Sequence, residues 1–436
     1  MSATDPLLIT DTDMAGVLKN VYTKFRVNSF PIATPLLAQV KKGSPGGPES
    51  MKWGGNGVYW DVRLGRPVNM VFSQAGYFGQ PSQVKEKQAS LGIKRSYVTR
   101  HIDQLAAVGT ESKEAAFVPL ARKIVEEALD ASRLGQQEAL HGDALGIKAI
   151  VTTASSSTSL ICQKPYGITG AGQGGLLLDK DMYVEVLDST GATSRGKSLI
   201  SAASNSGDSC TITLATALSG QTSTDIVVAA TASDNSYNQA TNGLTNIMNR
   251  GGSYNLFEGI SAATDTRWDT LRLTAGTDTP DAAQPSEMDV WQLIRQVAGR
   301  SGKDAQMAPD EFLLLTTPGI AKAIGESFLG QRRFDMGQKT LKGGFGAIEL
   351  CGLPLVTDAW CPAGTLYLIH VPSLTWVDSL DWQKIQFESQ GPWRFISGRD
   401  AYEVTFGAYW NFGALQRITH GMITGYTDTA RYTHVI

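Results

Sequence analysis

The 436-residue sequence predicts an α+β fold carrying an inserted all-β module. Three observations lead there. One long helical pattern spans residues 111–141. Residues 151–240 then change character, with 27 Ser or Thr, 11 charged residues and no Trp or His, and their short alternating runs read as strands with polar outer faces. After residue 286 the order becomes α–β–α–β–β, which belongs to neither an all-helical nor a parallel α/β protein. The length exceeds what one hydrophobic core usually covers, so two or three domains are expected.

Along the chain, residues 1–50 read as an extended arm. Val17, Val21 and Phe25 at i, i+4, i+8 suggest a short helix from Asp11 to Arg26. Pro31, Pro35, Pro45 and Pro48 break regular structure after it, and Gly43–Pro48 reads as a turning connection. In residues 57–64, Val58, Trp60, Val62 and Leu64 alternate with Tyr59, Asp61 and Arg63, as in a half-buried strand. A second strand is expected from Leu91 to Ile102. About 25 residues rich in Gly, Gln and Ser separate the two, so residues 51–102 resemble a projecting hairpin with a long tip.

For 111–141 the expected buried stripe is Phe117, Leu120, Ile124, Ala128, Ala131 and Leu134. Glu111 and Glu114 suit the dipole of the first turn, Pro119 belongs in the opening turn or marks a kink, and His141-Gly142 closes the helix. Within the Ser/Thr-rich module, strands are expected at Met182–Leu187, Cys210–Leu214 and Asp225–Ala230. The last part gives a helix at Ser286–Arg300 with Ser286 as N-cap, burying Val290, Leu293, Ile294 and Val297. A buried strand Glu311–Thr317, a helix Pro318–Phe328 and strands at 347–350, 353–357, 365–370 and 402–410 follow.

Composition excludes several function classes. The formal net charge is −3, so a dedicated high-affinity DNA-binding domain is not expected. Cys162, Cys210, Cys351 and Cys361 form no Cys-x-x-Cys pair, and the five His are scattered; neither a structural zinc nor a disulfide scaffold is expected, and reduced thiols fit. The opening Met1–Pro6 has no apolar signal core, and no apolar run approaches the length of a membrane span.

Chemical motifs are weak. Gly170–Gly175 matches G-x-G-x-x-G, but Leu176-Leu177-Leu178-Asp179 and a strand follow it where a dinucleotide site needs a helix. Asp11-Thr12-Asp13 starts like a calcium loop whose twelfth position is Tyr22, not Glu. Neither a nucleophile elbow nor a G-K-[ST] phosphate loop occurs. Glu126 and Glu127 face apart on a helix. No catalytic residue, metal ligand or cofactor site is therefore predicted, although His101, His141, His370, His420 and His434 stay open as a site assembled in three dimensions.

Two features point to contacts between subunits. Trp53, Tyr59, Trp60, Tyr77 and Phe78 cluster with Arg63 and Arg66 on and near the hairpin; they either pack beneath the main domain or anchor on a neighbour, where aromatic residues and Arg are favoured. The segment 331–344 carries Arg332, Arg333, Lys339 and Lys342 with one acid and three Gly. It is either a solvated loop or a contact for an acidic neighbour or a phosphate backbone.

This order of parts resembles the major capsid protein of tailed bacteriophages. The matching parts are the arm, the hairpin with Gln83-Val84-Lys85-Glu86-Lys87 at its tip, and the helix ending Leu140-His141-Gly142-Asp143. The return Asn242–Ile247 and the run Ile348–Asp358 followed by Gly364–Ile369 are also similar. The resemblance implies an N-terminal arm (1–50), an extended loop (51–102), a peripheral domain with its spine helix (103–150) and an inserted β domain (151–240). It further implies a return to the peripheral domain (241–285), an axial domain (286–400) and closing strands (401–436). It implies a non-enzymatic shell subunit forming hexamers and pentamers around double-stranded DNA held without sequence preference, with Lys85 and Lys87 added to the inter-subunit contacts. A separate scaffolding protein, a portal and a decoration protein are the implied partners, with no membrane; assembly would occur in the host cytoplasm and the protein would end in the virion. Encapsulin shells share this fold without the insertion. An encapsulin-like or tail-associated assembly protein, or an enzyme with a β appendage, are the alternatives.

Overall fold

The computed structural model describes residues 8–9, 36–37, 42–43, 52–54, 57–65, 85–104, 120–154, 157–163, 178–206, 209–248, 256–280, 284–327, 339–340, 346–358, 360–385 and 394–428. The expected helix at 11–26, the Gly170–Gly175 motif and the start of the 111–141 helix lie outside these residues.

The main elements follow in chain order. They are β1 (Gly57–Arg63), β2 (Glu86–Gly92), β3 (Lys94–Asp103) and α1 (Leu120–His141). Six strands come next: β4 (Ile147–Ala154), β5 (Ser159–Gln163), β6 (Tyr183–Leu187), β7 (Ser194–Ser206), β8 (Ser209–Leu214) and β9 (Ile226–Ala229). Then come α2 (Leu244–Met248), β10 (Leu271–Thr274), α3 (Glu287–Ser301), β11 (Phe312–Thr316) and α4 (Pro318–Ser327). The chain ends with β12 (Gly346–Leu350), β13 (Leu353–Thr357), β14 (Leu366–His370), β15 (Leu374–Lys384), β16 (Ala401–Ala414) and β17 (Gly421–Thr424).

Strands β4–β9 close into a barrel in the order β7-β8-β5-β4-β9-β6. The strands send Val151, Leu160, Cys162, Val184, Val186, Ile212 and Val227 inward and leave most Ser and Thr outside, the buried Ser198 of β7 being an exception. Closure removes the open edges that so polar a module would otherwise expose. The chain leaves and re-enters the main body at one place. A Cβ on Gly243 would meet Ala139 O and the Gly142 backbone within 2.7 Å, so only glycine fits against the end of α1. The Thr245 hydroxyl donates to His141 O at 2.7 Å across the same junction.

A seven-stranded sheet runs β10-β17-β14-β11-β13-β12 and ends on the pair Lys339–Thr340. It is buried on both faces. Leu313, Leu315, Val356, Tyr367 and Ile369 point to the main core, whereas Phe312, Leu314, Leu355, Leu366 and Leu368 face α3 and α4. This explains why all five residues of β11 are apolar or buried rather than alternating. Helix α3 begins as its sequence demands: the Ser286 side chain accepts from Asp289 N, and Val290, Leu293, Ile294 and Val297 are buried.

A second sheet joins β3, β16 and β15, with Trp376 of β15 stacked on Trp410 of β16 at 4.3 Å. Two pieces of the arm close its edges. Leu8–Ile9 pairs parallel with β3, and Lys42–Gly43 pairs parallel with β15. In the described residues the arm thus folds onto its own chain.

Two expectations need correction. The return strand of the hairpin is β2, not 91–102: Val58 faces Leu91 and Arg63 faces Glu86, while β3 pairs with β16 in another sheet. Gly92 ends one strand and Lys94 starts the next, so one apolar pattern covered two elements. The buried stripe of α1 also differs over its described part: Phe117 and the side chains of Leu120 and Ile124 lie outside the described residues, and Ala128 is buried as expected. Ala128, Ser132, Gln136, Gln137, Leu140 and His141 are buried, whereas Ala131 is exposed and Leu134 half-buried. Gln137 and His141 take the inner face because Asp358 is their buried partner there, whereas the Ser132 hydroxyl donates back to Leu129 O of its own helix.

Candidate assembly surfaces

The hairpin is rooted in the main core. Val58, Trp60, Leu64, Ala89 and Leu91 pack in one cluster with Met248, Phe257, Trp376, Trp410 and Phe412. Trp60 is only 4% exposed, so its ring is packed by its own chain; this removes it from the predicted inter-subunit anchors. Tyr59 and Arg63 face the other side, half-buried and exposed, and Arg63 Nε donates to Gly65 O. Leu64 N and Gly65 N both donate to Lys85 O, at 2.7 and 3.1 Å, bringing the two strands together before the tip.

Lys85 and Lys87 converge on Asp265, with Lys87 Nζ 2.6 Å from its Oδ2 and Lys85 Nζ on Oδ1. The Asp265 side chain is 1% exposed and the lysines are half-exposed. Burial alone would raise this carboxyl, but hydrogen bonds and positive charge from the two lysines outweigh it and hold it below its ordinary value. Ser90 N donates to Glu258 O at 2.9 Å, so both strand and clamp tie β2 to the segment 256–265. The two lysines predicted as contacts with neighbours are paired within the chain through this carboxylate.

Glu258 itself is buried, and its Oε1 accepts from Ala414 N at 3.0 Å. Burial pushes its carboxyl well above the ordinary range, against the opposing pull of the Ala414 amide and the Arg417 charge. Arg417 is buried too. Its Nε donates to Ile247 O at 2.6 Å and its guanidinium lies 5.1 Å from the Phe257 ring centre; burial lowers its pKa to about 10.

At the end of α1, Gln137 Nε2 donates to Asp358 Oδ2 at 2.6 Å and His141 Nε2 lies 2.9 Å from the same oxygen. Trp360 N donates to Asp358 Oδ1, and Leu37 N donates to Gln137 Oε1. One buried network thereby joins the arm, α1 and the end of β13. Sequence reasoning missed it; a Gln and a His four apart beside Leu140 were its only trace.

His434 lies outside the described residues, and the other four histidines sit in three separate places, with only His370 and His420 meeting. His101 pairs with Glu403 across β3 and β16 at 3.0 Å, and His141 belongs to the network above. His370 has a triad-like setting, with Nδ1 2.5 Å from Ser373 Oγ and Nε2 3.0 Å from Glu311 Oε2. A nucleophilic serine must face a cleft. Ser373 is buried and its Oγ accepts from Thr419 Oγ1 at 3.0 Å, so the group ties strand ends together. His420 is fully buried, its Nδ1 accepting from His370 N, and burial drives its pKa down to about 3. Among the described residues no three His, Cys, Asp or Glu side chains gather as a metal site, and no helix is long and apolar enough to cross a membrane.

Of the remaining predicted contacts, Arg66, Tyr77, Phe78, Arg332, Arg333 and Lys342 lie outside the described residues, as do the side chains of Trp53 and Lys339. The backbone places Trp53 opposite Val58 beside β1, and Lys339–Thr340 at the edge of the seven-stranded sheet, against Gly346 and Ala347. The structure adds an exposed apolar face that the sequence did not suggest. Met288 and Trp291 stand on the outer side of α3, with the Arg295 guanidinium 5.6 Å from the Trp291 ring centre. Phe395 and Leu256 are also exposed.

No protein-family model matches the chain, and no curated protein is similar to it in sequence. Solved structures do match it from end to end. The capsid asymmetric unit of cyanophage A-1(L) aligns over 96% of this chain and 99% of that one, with 12% identity and a TM-score of 0.57. The chain has the phage capsid fold. The capsid of a native GTA particle matches over 96% of this chain and 99% of its own at 7% identity, with a TM-score of 0.50. The holo-SrpI encapsulin complex of Synechococcus elongatus also aligns, at 8% identity with a TM-score of 0.45, a likeness too loose to weigh on the kind of shell. Both capsid alignments span nearly the whole chain.

Proposed function

We propose that the chain is a major capsid protein of a tailed phage. In this reading it assembles as hexamers and pentamers into an icosahedral shell that encloses double-stranded DNA, and it performs no catalysis. A separate scaffolding protein, a portal and a decoration protein would act with it, assembly would take place in the host cytoplasm, and the product would be the virion. The observation that carries the reading is the end-to-end likeness to the cyanophage A-1(L) capsid subunit.

The physical mechanism is shared burial. In this reading each subunit presents Tyr59 and Arg63 of β1, the segment carrying Arg66, Tyr77 and Phe78, Trp53, and the basic segment of Arg332, Arg333, Lys339 and Lys342. Neighbouring copies receive these and the outer face of α3. Many weak contacts add through high effective concentration. The arm serves the same end. Leu8–Ile9 and Lys42–Gly43 each pair over two residues at a sheet edge, and so short a pairing exchanges between copies at small cost.

The test is a loop replacement designed on the hairpin root. Because Leu64, Gly65 and Lys85 already meet, residues 66–84 are replaced by a short turn without disturbing β1 and β2. Wild-type protein is expected to form closed shells in negative-stain micrographs and light scattering. The shortened protein is expected to fold with the same circular dichroism and melting temperature yet form no shells. Wild type that remains a single chain at high concentration refutes the proposal, as does a shortened protein that assembles normally. Rings favour a tail-associated protein, and shells filled with protein cargo favour an encapsulin-like one.

A further inference from the structure

We propose that Cys162 and Cys210 form an oxidation site inside the barrel, closing a disulfide between β5 and β8. The two residues are direct partners in the antiparallel register of these strands. Both side chains point into the barrel core, and both are fully buried. Residues directly opposite in an antiparallel pair have Cβ atoms about 4.5–5.5 Å apart. A disulfide needs Cα atoms about 4.4–6.8 Å apart and Cβ atoms about 3.5–4.5 Å apart, so a small strand adjustment brings the sulfurs into bonding range. On its other side Cys162 faces Val151, and Cys210 faces Asn205; neither offers a competing thiol. Cys351 sits in the turn between β12 and β13 and Cys361 in the main core, both away from the barrel.

The same burial governs the rate. It lifts the Cys162 thiol to about 12, with a smaller push from Cys210, and it raises Cys210 as well. Little thiolate therefore exists in the closed barrel at neutral pH, and the thiolate is the reactive form. Reaction waits on opening of the barrel wall. Two S–H bonds break and one S–S bond forms; two electrons and two protons pass to the oxidant. A small-molecule disulfide is reduced to two thiols, or an azodicarboxamide to its hydrazine. The bond encloses the chain between β5 and β8, which contains β6 and β7, so an oxidised barrel no longer opens along that seam. The barrel stays reduced where thiols are kept reduced and becomes locked where they are not. This inference rests on the barrel alone and stands apart from the proposed capsid role.

The experiment uses the full-length protein, purified with reductant and then treated with diamide, with or without a brief urea pulse. Free thiols are alkylated under denaturing conditions and the peptides mapped without reduction. The expected result is loss of two of the four alkylatable thiols, with a Cys162–Cys210 linked peptide, faster after the urea pulse. Hydrogen exchange at the β5 amides should then slow by at least roughly thirty-fold relative to reduced protein. Cys162→Ser and Cys210→Ser should each retain all their remaining thiols and show no such slowing. Full alkylation of both residues after the urea pulse overturns the proposal, as does a linkage to Cys351, to Cys361 or between chains. Equal slowing in the Cys162→Ser variant also overturns it.

Discussion

Removing the Asp265 carboxylate and removing its two lysines should have unequal effects. Asp265→Ala deletes a side chain that is 1% exposed, but Lys85 and Lys87 keep access to water. The loss is two charge-assisted hydrogen bonds, discounted for half-exposed donors, or about 2 kcal/mol in all. Lys85→Met with Lys87→Met instead strands a buried anion, which costs about 3–5 kcal/mol. Either lysine alone leaves the other in place, so each single change costs about 1 kcal/mol and the pair is strongly non-additive. Adding Asp265→Ala to the double lysine variant should restore stability to the level of Asp265→Ala alone. Urea unfolding at constant m-value measures all five variants against wild type. The depressed carboxyl fixes the pH sign: its contribution is present above the ordinary Asp value and is lost as pH falls through the folded one. A double lysine variant no less stable than Asp265→Ala, or additive single costs, refutes the idea that β2 is held by a shared buried anion.

Other outcomes follow from the buried polar groups. Asp358→Ala leaves Gln137 Nε2, His141 Nε2 and Trp360 N without their acceptor, and thermal melting should show a loss of about 3–5 kcal/mol. His420 has a folded pKa of about 3 against an ordinary 6.5, so its stabilising contribution is complete above pH 6.5 and is lost as pH falls towards 3. His420→Asn, whose amide oxygen can replace Nδ1 as acceptor for His370 N, should flatten the acid side of a melting-temperature profile. Glu258 has the opposite sign: its raised carboxyl contributes fully below the ordinary Glu value, and that contribution is lost as pH rises through the folded one. Glu258→Gln should therefore match wild type at pH 4 and melt higher at pH 8.

What could be read in the sequence was what repetition or capping announces. The alternation of Val58, Trp60, Val62 and Leu64 located β1 and its inner face, and Ser286 located the start of α3. The Ser/Thr-rich strands of the barrel were visible by composition, but its closure was not, because closure depends on β6 pairing with β7 and β9 through registers that composition leaves open. The α1 stripe was misplaced because the rule that apolar residues face inward has no means of knowing that Asp358 waits for Gln137 and His141 from more than 200 positions away. For Trp60 the choice between packing beneath the main domain and anchoring on a neighbour stayed open for a related reason. Its tertiary neighbours Trp376, Trp410 and Phe412 are distant in sequence, and without them a tryptophan on a projecting strand has nothing to pack against.

The placement of the clamp also constrains how the proposed shell contacts work. A projecting element can engage a neighbour usefully only if its base is held at a defined angle, since a loose base spends binding energy on ordering. Here the apolar half of the base is fixed by Trp60 and Leu91 in the core, and the polar half by Lys85 and Lys87 on a buried carboxylate. Both lie at or below the point where Leu64 and Gly65 meet Lys85. The buried or clamped residues Trp60, Leu91, Lys85 and Lys87 therefore serve the subunit's own fold, and the proposed neighbour contacts fall to Tyr59, Arg63 and the segment 66–84. On this division Trp60, Lys85 and Lys87 act on assembly only through the angle of the hairpin. Their substitution should weaken stability and assembly together, whereas replacing residues 66–84 should abolish assembly and leave stability intact.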